Sequence, residues 1–144
     1  LEVKDVIIVG GEKKIHSLKT NIQYCEDLFP NEGPLGGVIT GLRNIKSDIA
    51  VILACDYLEI DSSVVLECVS KLNARSMVFP LYQGKEQYLF SAIRTECVEA
   101  LELQFMKGVR SIHEAVTCLD CVTYESVYPK KLRSANTPSQ LNDD

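Results

Sequence analysis

The run Ile49-Ala50-Val51-Ile52-Leu53-Ala54-Cys55 is apolar at every position and is followed directly by Asp56. A strand with one wet face alternates apolar and polar residues. A continuous aliphatic run is instead buried on both faces, the condition of a central strand in a parallel α/β sheet. With Asp48 as its first residue, this run predicts a strand over 48–55. Residues 3–9 (Val-Lys-Asp-Val-Ile-Ile-Val) have the same β-branched character and run into Gly10-Gly11.

Helical periods separate the strands. Leu35, Val38, Ile39, Leu42 and Ile45 recur at three- and four-residue spacing, which predicts a helix over 35–45. Asp61 and Ser62 offer an N-cap to a helix whose inner face is Val64, Val65, Cys68, Val69 and Leu72. Strands are expected at 76–82 and 87–93, with Gln83-Gly84-Lys85 as the hairpin turn between them. Thr95 is expected to cap a helix to Lys107, ended by Gly108, and Ser111 a shorter one to Leu119. A strand over 122–128 follows, and Asn136-Thr137-Pro138 opens a last helical turn. Residues 24–32 read as irregular, and the acidic tail from Ser139 as frayed. The alternation gives an α/β chain, Rossmann-like, with a mostly parallel sheet, helices on both faces and a hairpin insertion.

At 144 residues the chain is expected to form a single domain with a real core. Its formal net charge of −5 provides no field to attract nucleic acid or an anionic membrane, so an anionic ligand must be met locally. No apolar run reaches bilayer-spanning length and no signal-peptide pattern opens the chain, so a cytoplasmic protein is expected. The cysteines, at 25, 55, 68, 97, 118 and 121, fall mostly in apolar runs and read as reduced core thiols. Cys118 and Cys121 form the one close pair, without the second pair a zinc site requires. His16 and His113 lack the spacing of a metal site or a triad. Lys13, Lys14 and Lys19 read as a solvated face.

In an open α/β sheet, ligands gather at the carboxyl ends of the strands. Gly10-Gly11, Asp56 and the Asn136 loop all follow strands and are expected to meet at one such edge. Gly33-Pro34-Leu35-Gly36-Gly37 would bring backbone N–H groups and a helix N-terminus to a ligand. Asp56, rigidly placed, suits a hard divalent cation bridging phosphates. The two together point to a nucleotide and a metal.

Gly33-Pro34-Leu35-Gly36-Gly37, Cys55-Asp56 and Asn136-Thr137-Pro138 resemble, in order and spacing, the molybdenum cofactor guanylyltransferases (the MobA family), from Val3 to about Leu141. The resemblance implies a nucleotidyltransferase that joins GMP from GTP to molybdopterin with Mg²⁺. It implies that Asp56 binds the metal and that Asn136 faces the same region as a second catalytic residue. It implies that Gly10, Gly11, Asp27, Gly33, Pro34 and Leu35 approach the nucleotide. Lys107 and Arg110 become acceptor-side anion contacts, and molybdoenzymes or other cofactor-maturation proteins become partners.

Two departures accompany the resemblance. The family's opening glycine-rich loop, of the form Leu-x-Gly-Gly-x-Ser-x-Arg-Met-Gly-x-x-Lys, has no match between Leu1 and Asp144. The first strand–loop–helix unit is therefore expected to be missing, which leaves transfer by this chain alone weak and exposes sheet edges. Upstream residues or a partner are expected to cover them. Gln87-Tyr88-Leu89-Phe90 also replaces a more polar turn that faces the acceptor. Two other readings remain open: a related transferase with another base or acceptor, such as a cytidylyltransferase, and a non-catalytic cofactor-binding module.

Overall fold

The computed structural model describes residues 3–11 and 21–135. The chain divides into two compact units, Leu1–Ala50 with Arg94–Leu119, and Val51–Ile93 with Asp120–Asp144.

In the first unit, β1 (Asp5–Val9) and β2 (Asn21–Cys25) pair in parallel, from Asp5 opposite Asn21 to Val9 opposite Cys25. β2 falls within and before the stretch expected to be irregular. Its Asn-Ile-Gln-Tyr-Cys alternation is a short period-two signal that gives one face to solvent. α1 (Pro34–Asn44) buries Leu35, Val38, Ile39 and Leu42. At Gly41 it runs beside β1, where a Cβ would make an ordinary van der Waals contact with Val9 Cγ2 at 3.5 Å. α3 (Val98–Met106) buries Val98, Leu101 and Phe105, and α4 (Ile112–Ala115) buries Ile112 and Ala115. A bidentate Arg43–Glu102 pair ties α1 to α3. Thr95 opens a short 3₁₀ turn, Thr95–Cys97, but does not cap it. Its hydroxyl donates instead to the Ser47 carbonyl, at 2.9 Å.

The second unit is built on a sheet in the order β3 (Ile49–Leu53), β6 (Phe90–Arg94), β4 (Met77–Tyr82), β5 (Lys85–Glu86), with β7 (Cys121–Glu125) also on β4. The unit boundaries fall inside β3 and β6. β7 runs parallel to β4 over five residue pairs, whereas β6 and β5 are antiparallel to it over two each. The parallel pairings thus carry the longest registers, and the expected α/β class with a parallel core stands.

Pro80 marks where β4 exchanges β6, opposite Met77 and Val78, for β5, opposite Leu81 and Tyr82. A residue without an N–H cannot continue a ladder, so the change of partner falls there. The hairpin turn is tighter than expected. Gln83 and Gly84 both have positive φ, and Lys85 already belongs to β5. α2 (Ser62–Leu72) is capped by Asp61, whose carboxylate accepts from the N–H groups of Ser63 and Val64. Its Val64, Cys68 and Leu72 form the core with Val78, Phe90, Ala92 and Leu132.

Among the described residues, β1 pairs only with β2 and β3 only with β6, so each keeps one edge without a partner strand. None of the six cysteines forms a disulfide among the described residues. Only Cys68 and Cys97 are core residues; Cys55 and Cys118 are exposed, against the expectation of mostly core-filling thiols. His16, Lys13, Lys14, Lys19 and the turn opened by Asn136 lie outside the described residues.

Candidate nucleotide site

In the first unit, Gly10 and Gly11 follow β1 with φ of 70° and 76°, a conformation that glycine adopts without strain. A Cβ on either would meet nothing within 4 Å among the described residues. The Gly10 N–H donates to the Cys25 carbonyl at 2.9 Å. Gly10-Gly11 and the Glu26-Asp27 step therefore leave the parallel pair at the same carboxyl edge.

Asp27 Oδ1 accepts the Phe29 N–H at 3.0 Å and lies 3.1 Å from the Thr40 hydroxyl. Thr40 is fully buried in α1; its hydroxyl also accepts the Leu28 N–H at 3.1 Å and lies 2.9 Å from the Gly36 carbonyl. This network fastens the loop before α1 to that helix's first turn. Thr40 was not among the expected site residues, although a hydroxyl four residues after Gly36 on a buried helical stripe is a legible signal.

α1 starts without a side-chain cap. Gly33, at φ 86°, is its N-cap, Pro34 is in the first turn, and no acidic residue stands there. Its orphan N–H groups and dipole are thus left for a ligand. Leu35 is wholly buried and packs in the core. A Cβ on Gly36 would lie 2.7 Å from Phe29 Cβ, whereas one on Gly37 would meet nothing within 4 Å. Gly36 serves packing, and Gly37 leaves space.

The structure places Arg110 against this loop. A Cβ on Gly33 would lie 3.2 Å from the Arg110 carbonyl oxygen. The guanidinium pairs with Glu32 at 2.6 Å, donates to the Phe105 and Val109 carbonyls at 2.7 and 3.0 Å, and stacks 3.9 Å over the Phe105 ring. These partners make Arg110 a brace for the Gly33 loop. Lys107 is exposed at the C-cap of α3.

In the second unit, β3 ends at Leu53 and Cys55-Asp56 forms a turn. Asp56 Oδ1 is buried and has no hydrogen-bond partner among the described residues. The Asp56 carbonyl accepts the Ala135 N–H at 2.8 Å, and Tyr57 forms an antiparallel bridge with Ser134. The chain entering Asn136 is thereby held at Asp56, while Asn136 itself lies outside the described residues. Burial, with the Asp56 carboxylate adding to it, pushes the Tyr57 phenol up to about 12. No group of three or more His, Cys, Asp or Glu among the described residues could cage a metal. A lone unpartnered carboxylate fits a cation of the Mg²⁺ kind, which takes one or two carboxylates and fills its shell with water and phosphate oxygens.

A family model described as "MobA-like NTP transferase domain" matches residues 1–119. A probable molybdenum cofactor guanylyltransferase of Clostridium perfringens is 27% identical over 74% of this chain and 54% of its own length. The molybdenum cofactor guanylyltransferase of Pseudomonas putida is 32% identical over 80% of this chain and 60% of its own length. The chain therefore spans little more than half of these relatives. Among solved structures, the molybdopterin-guanine dinucleotide biosynthesis protein A of Archaeoglobus fulgidus superposes with a TM-score of 0.66 at 20% identity, over 86% of this chain and 66% of that one. That likeness speaks for the fold.

Proposed function

The chain belongs to the MobA-like NTP transferase family, and on that premise we propose that it acts as a molybdenum cofactor guanylyltransferase, moving GMP from GTP to molybdopterin with Mg²⁺. The observation that carries this reading is the buried Oδ1 of Asp56, in the turn after β3, which has no hydrogen-bond partner among the described residues. Leaving a buried acceptor unsatisfied costs about 1–3 kcal/mol, a penalty that a cation at this oxygen would remove. Asp56 holds the metal, and Asn136 acts as the second catalytic residue. When bound, Mg²⁺ neutralises charge on the phosphates.

An oxygen of the molybdopterin phosphate attacks the α-phosphorus of GTP in line. The new P–O bond forms as the bond to the α–β bridging oxygen breaks, and pyrophosphate leaves with the electron pair. No protein nucleophile is needed, and the chain contributes positioning. Gly10, Gly11 and the start of α1 offer backbone to the nucleotide. Asp27, fixed through Oδ1, turns its other oxygen to the guanine N–H groups. Lys107 meets the acceptor's phosphate, and Arg110 holds the loop. No helix among the described residues is long and apolar enough to cross a membrane. We place the reaction in the cytoplasm, with molybdoenzymes or other cofactor-maturation proteins receiving the product.

The test is a titration of GTP and CTP with and without Mg²⁺, on the unsubstituted protein and on Asp56→Ala. GTP is expected to bind more tightly than CTP, and Asp56→Ala to lose the Mg²⁺-dependent part of binding. Tighter CTP binding would move the chain to a cytidylyltransferase reading. Full Mg²⁺-dependent binding by Asp56→Ala would remove the metal assignment.

A further inference from the structure

Gln87-Tyr88-Leu89-Phe90, set apart in the sequence and unused above, borders the Asp56 turn. That turn is gripped from two sides. On one, the Ala54 N–H donates to the Leu89 carbonyl at 2.8 Å, and the Tyr57 hydroxyl donates to Gln87 Oε1 at 2.9 Å. On the other stand the bond from Ala135 to the Asp56 carbonyl and the bridge between Tyr57 and Ser134. Gln87 is itself immobilised. Its N–H donates to the Pro80 carbonyl, its side-chain amide donates to the Lys85 carbonyl, and its own carbonyl accepts the Phe90 N–H, each at 3.0 Å.

We propose that Tyr57 and Gln87 are positioning residues for the Asp56 carboxylate, fixing the direction in which it meets a divalent cation. The proposal rests on the reading of Asp56 as a metal ligand. Tyr57 directly follows Asp56, so a ring pinned at its tip, with the backbone bridge to Ser134, holds the peptide that joins it to Asp56 and so limits how the carboxylate can turn. The ring also packs on Phe90, with centroids 6.0 Å apart, so removing the hydroxyl keeps the packing and releases only the tether. Partners that orient a metal ligand are typically worth ~10–100-fold in metal affinity. The chemistry of the 87–90 stretch is then directed at the metal-binding turn, with Gln87 spent on Tyr57.

The experiment measures Mn²⁺ affinity by electron paramagnetic resonance in the presence of GTP, on the full chain. It compares the unsubstituted protein with Tyr57→Phe, Gln87→Leu, the double variant and Asp56→Asn, and records a thermal melt for each. Tyr57→Phe and Gln87→Leu are each expected to weaken Mn²⁺ binding about tenfold, and the double variant no further than the weaker single. Singles that bind Mn²⁺ as tightly as the unsubstituted protein, whatever their melting temperatures, would reduce the contact to packing and overturn the proposal. Asp56→Asn separates the two claims. Undiminished affinity there removes the metal assignment itself, whereas affinity lost there and kept in Tyr57→Phe removes only the positioning role. Should Tyr57→Phe not fold, Gln87→Leu, a loop substitution, carries the same test.

Discussion

A Cβ built on Gly36 would lie 2.7 Å from Phe29 Cβ, while one on the adjacent Gly37 would meet nothing within 4 Å. Gly36→Ala is therefore expected to lower stability by about 1–3 kcal/mol through overpacking, read as a drop in urea midpoint. Gly37→Ala is expected to raise stability by about 0.5–1 kcal/mol as a better helix former, and to weaken GTP binding by filling the open space. A second residue-scale expectation concerns alkali. Burial pushes the Cys68 thiol up to about 11, and burial raises Tyr57 and Tyr124 as well. Folding thus favours the protonated forms. Their contribution is whole below the unfolded values of about 8.5 for Cys and 10 for Tyr, and it fades as pH climbs through the raised folded ones. The urea midpoint should hold to about pH 8 and fall from there toward pH 12. Cys68→Ala should delay the onset of that fall while lowering the midpoint at neutral pH. A midpoint unchanged up to pH 11 would contradict it.

Between helices, α2 and α1 differ at their starts. Asp61 Oδ1 accepts the Ser63 and Val64 N–H groups at 3.1 and 3.3 Å, and its other oxygen pairs with Lys131. Asp61→Ala should lower the urea midpoint and quicken amide exchange in the first turn of α2. α1 has no such side chain to lose, which is what a ligand-facing start requires. Asp61 and the apolar stripes were legible because capping and amphipathicity are written within a few residues. β1 and β3 were legible from their unbroken aliphatic runs, but among the described residues β3 is an edge strand with exposed ends and not the central strand buried on both faces that its run implied. β2 escaped notice, being five residues long and half polar. The change of partner at Pro80 depends on which strands flank β4, which no local pattern states. Of the site, the glycines and Asp56 stood out by type and place. The occupation of Arg110 by Glu32 and the tether from Tyr57 to Gln87 did not. Those contacts join residues far apart in sequence, and only the folded backbone brings them within reach.

At the scale of the molecule, the edges of β1 and β3 that have no partner strand among the described residues dominate. β3 is Ile-Ala-Val-Ile-Leu, with Ile49 39% and Leu53 50% exposed, and it lacks the charge or proline that protects natural edges. Residues 1–144 in isolation are expected to self-associate, giving a scattering mass that rises with concentration. A segment that adds a strand to β3 should suppress the rise; a monomer with one cooperative unfolding transition would count against this. The division of the chain has another consequence. Each unit draws on two stretches, and each is interrupted by residues of the other. β4 waits for β7, Cys121–Glu125, before its long parallel register can form. At about 5–20 residues per second, a ribosome needs roughly 2–9 seconds to pass from the end of β4 to the end of β7. For that interval β4 lacks its long parallel partner, and the emerging polypeptide holds bare aliphatic strands open to aggregation.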